Sequence, residues 1–405
     1  MEGPLSGFKV LEVAQWWFAP AACAVLADWG ADVIKVEHPV TGDPQRGLAA
    51  MGWKSKEGNV DFMMQQSNRG KRSIGLDLAA SGGRALLYRL AKASDVFVTS
   101  FLPDARARLQ IDVEHLRAVN PAIIYVRGSG QGPHGPDCEK GGYDATAFWS
   151  RGGVGAALTP AAANEPVMQR PAFGDSIGAL AMAGGIAAAL LRRERTGVAS
   201  VIDVSLLNTA MWVLAPDIVA CKLVDPDRWM PPYNRATHFN PVTNAYRTKD
   251  GRWIMLVMLQ ASRHWDDFCQ HIDRPDLIDD PRFATDAARL ANREACIAEI
   301  DKAFAMRRLD EWRVKLATME GAWAPMQTPP EIYDDPQALV NGYLTEVDGG
   351  DKGKFQVVSS PVQFDLQVPS LRPSPEMGQH TEEVLLEHGL SWEEIAAHKA
   401  SGAIL

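Results

Sequence analysis

The sequence predicts an α/β protein, a Rossmann-like large domain on a mostly parallel sheet with a smaller α+β domain attached. Three observations carry that expectation. Short apolar runs alternate with helix-length segments through the first third of the chain, and one more apolar run, "ASVIDVS", begins at Ala199. Beyond it, a Pro- and Asn-rich stretch leads into a hairpin pattern and further helices.

Taken in order, "FKVLEVA" reads as a buried strand, Phe18 to Trp29 as a helix entered near Pro20 and stopped by Gly30, and "DVIKVEH" as a second strand. Strand, helix and strand with short connections make a parallel βαβ unit. A helix near Gly82 to Ala93, the strand "DVFVTSF", a helix near Val113 to Val119 and the strand "AIIYVRG" extend the pattern. "ASVIDVS" reads as another buried strand, with Ser205 placed to cap a long apolar helix through "LLNTAMWVLAPDIVACKLV". "DPDRWMPPYNRATHFN" marks a linker, and "NAYRTKDGRWIMLVML" is a hairpin turning at Lys249-Asp250-Gly251. The expected division is 1–224 for the first part of the large domain, 225–326 for the small domain, and 327–405 for a segment returning to the large one. That last segment closes with two short helices broken at Gly389.

At 405 residues the chain is long enough for two ordinary cores. A formal charge of -9 argues against a nucleic-acid surface but leaves room for a local basic pocket. The five cysteines are widely spaced without a C-x-x-C pair, which fits unpaired thiols in a reducing cytoplasm and no zinc or other metal site. No stretch reads as a signal peptide, and the longest apolar block reads as too short and too rich in Ala and Gly to span a bilayer comfortably.

That block, Ile177 to Leu191, follows Asp175 in "RPAFGDSIGALAMAGGIAAALLRRERTG". Locally, Asp175 reads as an N-cap, Arg192, Arg193 and Arg195 suit the negative end of the helix, and Gly197 suits its stop. A chemical role for Asp175 is the second reading of the same residues.

A dehydrogenase is the obvious rival for a βαβ start, with Glu37 where a ribose-binding acid would stand. Yet "AQWWFAP" is not G-x-G-x-x-G, and Trp16 and Trp17 fill the place where pyrophosphate needs bare backbone. "GSGQG" follows a strand but leads into a Pro-rich loop. No nucleophile elbow, H-E-x-x-H or EF-hand appears, and the nine histidines are scattered. What remains after strands is Trp16, Trp17, His38, Lys71, Arg72, Arg108, Tyr143, Asp144 and Asp175, a set placed for an anionic ligand at the carboxyl ends of a parallel sheet.

Six blocks then line up in order from about residue 5 to 400: the "GFKVLEVA" to "TGDPQRG" segment, "NRGKRSIGLDL", "RGSGQGPHGPDCEKGGYDATAFWSRGG", "PAFGDSIGALAMAGGIAAALLRRERTG", "DPRFAT" and "MGQHTEEVLLEHGL". Together they resemble the class III coenzyme A transferases of the CaiB/BaiF type, which include formyl-CoA transferase, carnitine CoA-transferase and the α-methylacyl-CoA racemases. The resemblance implies that Asp175 is the nucleophile, attacking an acyl-CoA thioester to give a mixed anhydride and then an aspartyl-CoA thioester. An ordinary Asp is ionised at neutral pH, and a helix N-terminus favours the anion further, with glycine N–H groups nearby for the oxyanion.

For CoA, the resemblance implies contacts from Trp17 and Phe18, with Gln15 where the family commonly has a basic residue. His38 stands where formyl-CoA transferase has arginine. Leu76, Asp77 and Leu78 match the adenosine pocket, and Phe101 and Leu102 match the contact after the next strand. Arg108 matches a phosphate-binding arginine, while Lys71 and Arg72 serve either phosphate or the loop. Tyr143 and Asp144 match the pair closing over the thioester, with Lys140 just before them. Tyr143 occupies the position of the racemase histidine, and a phenol is a poor base at neutral pH, so transfer is preferred to racemisation. A non-catalytic acyl-CoA-binding protein is the third reading.

The resemblance further implies an interlocked homodimer, with sites between domains of different subunits, acyl-CoA and a small carboxylic acid as partners, and no tightly bound cofactor. Trp16, Trp17, Phe148, Trp149 and the loop at 228–241 point to a bulky or hydrophobic acyl group.

Overall fold

The computed structural model describes residues 3–52, 54–55, 60–160, 162–223 and 233–405, so the first part of the expected linker, 225–232, lies outside the described residues. The chain forms two compact units. One comprises 1–156, 166–230 and 336–405, and the other 157–165 and 231–335.

The large unit is built on six parallel strands: β1 (Lys9–Val13), β2 (Asp32–Glu37), β3 (Arg72–Gly75), β4 (Val96–Thr99), β5 (Ile124–Ser129) and β6 (Val201–Ser205), in the order β3-β2-β1-β4-β5-β6. Strands covered on both faces need apolar residues at consecutive positions, and Val96-Phe97-Val98 of β4, Val10-Leu11 of β1 and Val33-Ile34 of β2 supply them. Val10, Val33 and Val98 face one core with Leu26, Met182 and Ile186, while Leu11, Ile34 and Phe97 face the other with Leu87, Leu90 and Val384. The order reverses between β1 and β4, so their carboxyl ends splay apart and leave a crevice.

Several expectations change. β6 is an edge strand with Val201 39% exposed, because only β5 pairs with it in the sheet. β3 lies in "KRSIGLDL", where the sequence reading assigns no strand, since its four residues are too few for a periodicity. The long apolar helix after Ser205 is two, Leu206–Val213 and Ala215–Leu223, bent by 68°. Pro216 accounts for the break, because its ring has no N–H to donate and crowds the preceding turn. Ser205 caps as expected, its Oγ accepting the Asn208 N–H at 3.1 Å.

The helix Phe173–Thr196 is longer than its charge-free block, and its 24 residues are long and apolar enough to cross a membrane by length and composition. Gly178, Ala179, Met182, Ala183 and Ile186 are nonetheless buried in the core with Phe18, Ala22 and Leu26 of the helix Phe18–Asp28. A Cβ on Gly178 would stand 2.6 Å from the Phe18 ring, so the small residues let that ring lie against the helix. The helix stops at Gly197, φ 72°, as its sequence predicts.

The smaller unit carries an antiparallel sheet of β7 (Ala245–Arg247), β8 (Trp253–Val257) and β9 (Ala322–Pro325) over a core that includes Tyr246, Trp265, Phe268, Phe304 and Trp312. The predicted hairpin is β7–β8, with Gly251 at φ 78° in its turn. In the large unit, a second hairpin pairs β10 (Leu344–Asp348) with β11 (Lys354–Val358). The two closing helices, Thr381–Glu387 and Trp392–Ala400, are separated at Gly389, φ 80°. They cover the β3 side of the sheet, where Thr381 Oγ1 accepts the Gly75 N–H and Leu76 pairs with Ile404.

Candidate active site

The crevice at the switch point is lined by the turns that follow β1, β4 and β5. A cavity of about 440 Å³ is bounded by Gln15, Trp16 and Phe18 after β1, by Ser100–Leu102 after β4, and by Gly128–Gly130 at the end of β5. Gly141–Asp144 and Asp175 also line it, with Ala105, Arg108, Leu109 and Leu206. A second cavity of about 250 Å³ is lined by His38, Thr41, Leu76, Asp77 and Leu78, and shares Gln15, Phe101 and Leu109 with the first. The two therefore form one groove along the ends of β3, β2, β1, β4 and β5.

Asp175 is not the cap. The helix starts at Phe173, after Ala172 at φ 58°, and Asp175 stands inside the first turn without a side-chain cap bond. The capping anion comes from elsewhere in the chain: both carboxylate oxygens of Asp144 accept the Gly174 N–H at 3.1 Å, and the Phe173 and Asp175 N–H groups also bond to that carboxylate. A Cβ on Gly174 would fall 2.5 Å from Asp144 Oδ1 and 2.2 Å from Phe148, so the docking needs glycine there. Asp144 begins a π-helical turn, Asp144–Arg151, and is only 6% exposed.

This arrangement moves Asp175 away from the ordinary ionisation expected of it. Burial and the neighbouring Asp144 carboxylate push its pKa up to about 7, far above the ordinary Asp value. Asp144 has taken the N-terminal N–H groups that would have lowered it. The Gly174 N–H is committed in the same way and is not free for an oxyanion.

The turn after β1 is held in an unusual shape. Trp16 adopts φ 68°, a left-handed conformation that costs a bulky residue about 1–3 kcal/mol. Its N–H donates to Asp43 Oδ1 at 3.1 Å, and its ring meets Tyr143 edge-on at 5.8 Å. Trp17 Nε1 donates to the Oγ of Ser176, next to Asp175, at 3.0 Å.

Beneath this turn lies a fully buried charge network. Lys35 Nζ is 2.9 Å from both Glu12 Oε1 and Asp43 Oδ2, and Lys71 Nζ is 2.6 Å from Glu12 Oε2. Lys71 also donates to the Pro20 carbonyl and Asn68 Oδ1, each at 2.8 Å. Removing one partner of such a network leaves a buried charge unpaired. Lys71→Ala is therefore expected to cost about 3–5 kcal/mol in denaturant unfolding, and a loss below about 1 kcal/mol would show that Glu12 finds another partner.

Other predicted residues divide sharply. Phe18, Phe101, Arg108, Tyr143 and Asp144 line the larger cavity; His38, Leu76, Asp77 and Leu78 line the smaller. Arg108 is exposed on the helix Pro103–Leu109, and its neighbour Arg106 is the one paired with Asp112. His38 Nδ1 accepts the Val40 and Thr41 N–H groups, which orients the ring through that nitrogen.

Arg72, Lys71 and Lys140 line neither cavity. Arg72 bonds Asp32 and Glu387, so it braces the helix Thr381–Glu387 against β2, and Lys140 is an exposed cation paired with Asp137 at 2.7 Å. Phe148 and Trp149 are core residues, 0% and 6% exposed. Glu37, the candidate ribose acid, is consumed internally: it accepts from Arg46, Ser73 and the Asp43 N–H. Against the cost of burial, Arg46 and Lys35 hold its pKa down to about 2. Sequence reasoning missed Asp43 and Lys35 altogether, although a lysine inside the apolar strand "DVIKVE" is itself a signal of a buried partner.

The family model described as CoA-transferase family III matches residues 5–381. The chain is 30% identical over 406 residues to (R)-2-hydroxy-4-methylpentanoate CoA-transferase of Clostridioides difficile, covering 99% of each. It is 30% identical over 394 residues to cinnamoyl-CoA:phenyllactate CoA-transferase of Clostridium sporogenes, covering 96% of this chain and 94% of that one. The crystal structure of a CaiB/BaiF family protein from Brucella suis superposes with a TM-score of 0.80 at 28% identity, covering 96% of this chain and all of that one. The chain belongs to CoA-transferase family III and is an acyl-CoA:carboxylate CoA-transferase.

Proposed function

We propose that this enzyme moves CoA from a bulky, apolar acyl-CoA to a carboxylic acid through covalent chemistry on Asp175. The observation that carries the reading is a half-buried carboxylate, poised near neutrality, in the wall of the larger cavity. An Asp175 oxygen attacks the thioester carbonyl carbon, and the C–S bond breaks to release CoA thiolate. The thiolate then attacks the Asp175 carbonyl of the mixed anhydride, freeing the donor acid and leaving an aspartyl-CoA thioester. An acceptor carboxylate attacks that thioester, forming a second anhydride and thiolate. The thiolate finally takes the acceptor acyl group, and Asp175 is restored without water or net proton transfer.

In this reading the smaller cavity takes the adenosine end, with Leu76, Asp77 and Leu78, and the exposed Arg108 faces phosphate. Gly130 and Gly142 pack backbone against backbone, a Cβ on Gly130 falling 2.6 Å from Gly142 Cα, so a narrow acyl chain can pass a wall without side chains. The functional unit is proposed to be a homodimer in the cytoplasm, a setting that suits the five free cysteines.

The test is mass spectrometry of the protein after incubation with an acyl-CoA and no acceptor. The peptide containing Asp175 should carry the acyl or CoA adduct, convertible to a hydroxamate by hydroxylamine. Unmodified Asp175 during full exchange would overturn the mechanism. The Trp16–Tyr143 wall adds a second expectation: kcat/KM for a branched or aromatic acyl-CoA exceeds that for acetyl-CoA by about tenfold or more, on the order of one to two buried methylenes.

A further inference from the structure

The turn after β1 is gripped at three points by one buried network. Lys35 Nζ donates to the Ala14 carbonyl at 3.0 Å, before the turn. Asp43 Oδ1 accepts the Trp16 N–H, at its strained centre, and Lys71 Nζ donates to the Pro20 carbonyl, after it. The same Asp43 is fixed from its other side, its N–H donating to Glu37 Oε2 at 3.0 Å and its Oδ1 capping Gln45 at 2.9 Å. Asp43 thus ties the wall of the smaller cavity, which it lines with His38, Thr41 and Gly42, to the wall of the larger one at Gln15, Trp16 and Phe18.

We infer that Asp43 is a positioning residue for acyl transfer, holding Trp16 in its left-handed conformation so that the indole stands against Tyr143 as a fixed wall of the acyl cavity. The inference rests on the larger cavity being the acyl site. A tryptophan does not stay at φ 68° unless its surroundings determine it. Here they do so with an acceptor that cannot move, because Asp43 is 2% exposed and its second oxygen is bound to fully buried Lys35. Without that acceptor the turn relaxes towards ordinary φ, and the indole leaves the wall. Asp43 touches no reacting atom; its effect passes through Trp16.

Two charge-balanced double variants isolate the contact. Lys35→Met with Asp43→Asn keeps an oxygen acceptor for the Trp16 N–H, whereas Lys35→Met with Asp43→Ala removes it, and Glu12 keeps Lys71 in both. With a branched or aromatic acyl-CoA, the Asn chain should exceed the Ala chain in kcat/KM by about tenfold or more, chiefly through KM, while acetyl-CoA, which makes the same CoA contacts without the bulk to meet the indole, separates the two chains by less. Equal kcat/KM overturns the proposal.

If those chains do not fold, exposed Trp16 decides. Glycine takes φ 68° without strain, so Trp16→Gly should melt above Trp16→Ala. An alanine chain as stable as the glycine chain would show that the conformation is not held, and would overturn the proposal. Neither melting temperature depends on Asp175 chemistry, so failure here is distinct from failure of the proposed mechanism.

Discussion

Replacing Asp175 with Asn abolishes CoA exchange, by about 10⁴-fold or more, and yet makes the protein more stable above pH 7. The first half follows from losing the protein's own nucleophile in the proposed mechanism. The second follows from the direction of its pKa. A carboxylate whose folded pKa is raised to about 7, from an unfolded value near 3.8, binds its proton more tightly in the folded state. Folding stability therefore falls as pH rises between those two values, and the charged form is the destabilising one. An amide carries no such charge. Thermal melts of the two chains should coincide near pH 4 and separate by a few degrees at pH 8, the Asn chain higher. Coincident melts at pH 8 would show that the carboxylate is not held near neutrality, and exchange retained in the Asn chain would remove Asp175 from the chemistry.

Asp144→Asn moves the pH dependence itself. In the parent chain the first acylation requires ionised Asp175, so its rate should rise with pH through about 7. Removing the Asp144 charge takes away the second of the two causes that raise Asp175, and the rising limb should shift to lower pH by about one unit. At pH 6 the variant then has about fivefold more reactive carboxylate than the parent. The cost is at the helix terminus: a neutral amide caps Gly174 less well than a carboxylate, which should lower stability by about 1 kcal/mol. Single-turnover acylation measured from pH 5 to 9 separates the effects, because the position of the limb does not depend on how much protein is folded. Superimposable limbs would mean that the two carboxylates do not sense each other.

These two carboxylates also show where sequence reading stops. "FGDSIGAL" identifies a helix start and a carboxylate within one turn of it, and both are present. It cannot show that a residue 31 positions earlier in the chain, Asp144, occupies the cap, because nothing local couples them. The parallel sheet was legible because buried strands write themselves as continuous apolar runs. The clamp of Glu12, Lys35, Asp43 and Lys71 was legible only as a hint, since Lys35 inside an apolar strand calls for a buried partner but does not name it until the sheet brings β1 beside β2. Arg72 illustrates the converse. Its neighbourhood resembles the family's CoA-binding segment, but an acidic helix from the far end of the chain, with Glu383 and Glu387, claims its guanidinium.

That far end has a consequence for synthesis. The β3 border of the sheet, next to the Leu76–Leu78 wall, is covered only when Thr381, Glu387 and Ile404 arrive. A ribosome delivers those residues only after the whole of the smaller unit has emerged. Until then the nascent large unit carries an open strand, a template for pairing with another chain. The binding groove can mature only once those residues have emerged, so a product stalled or truncated before them should be captured by chaperones.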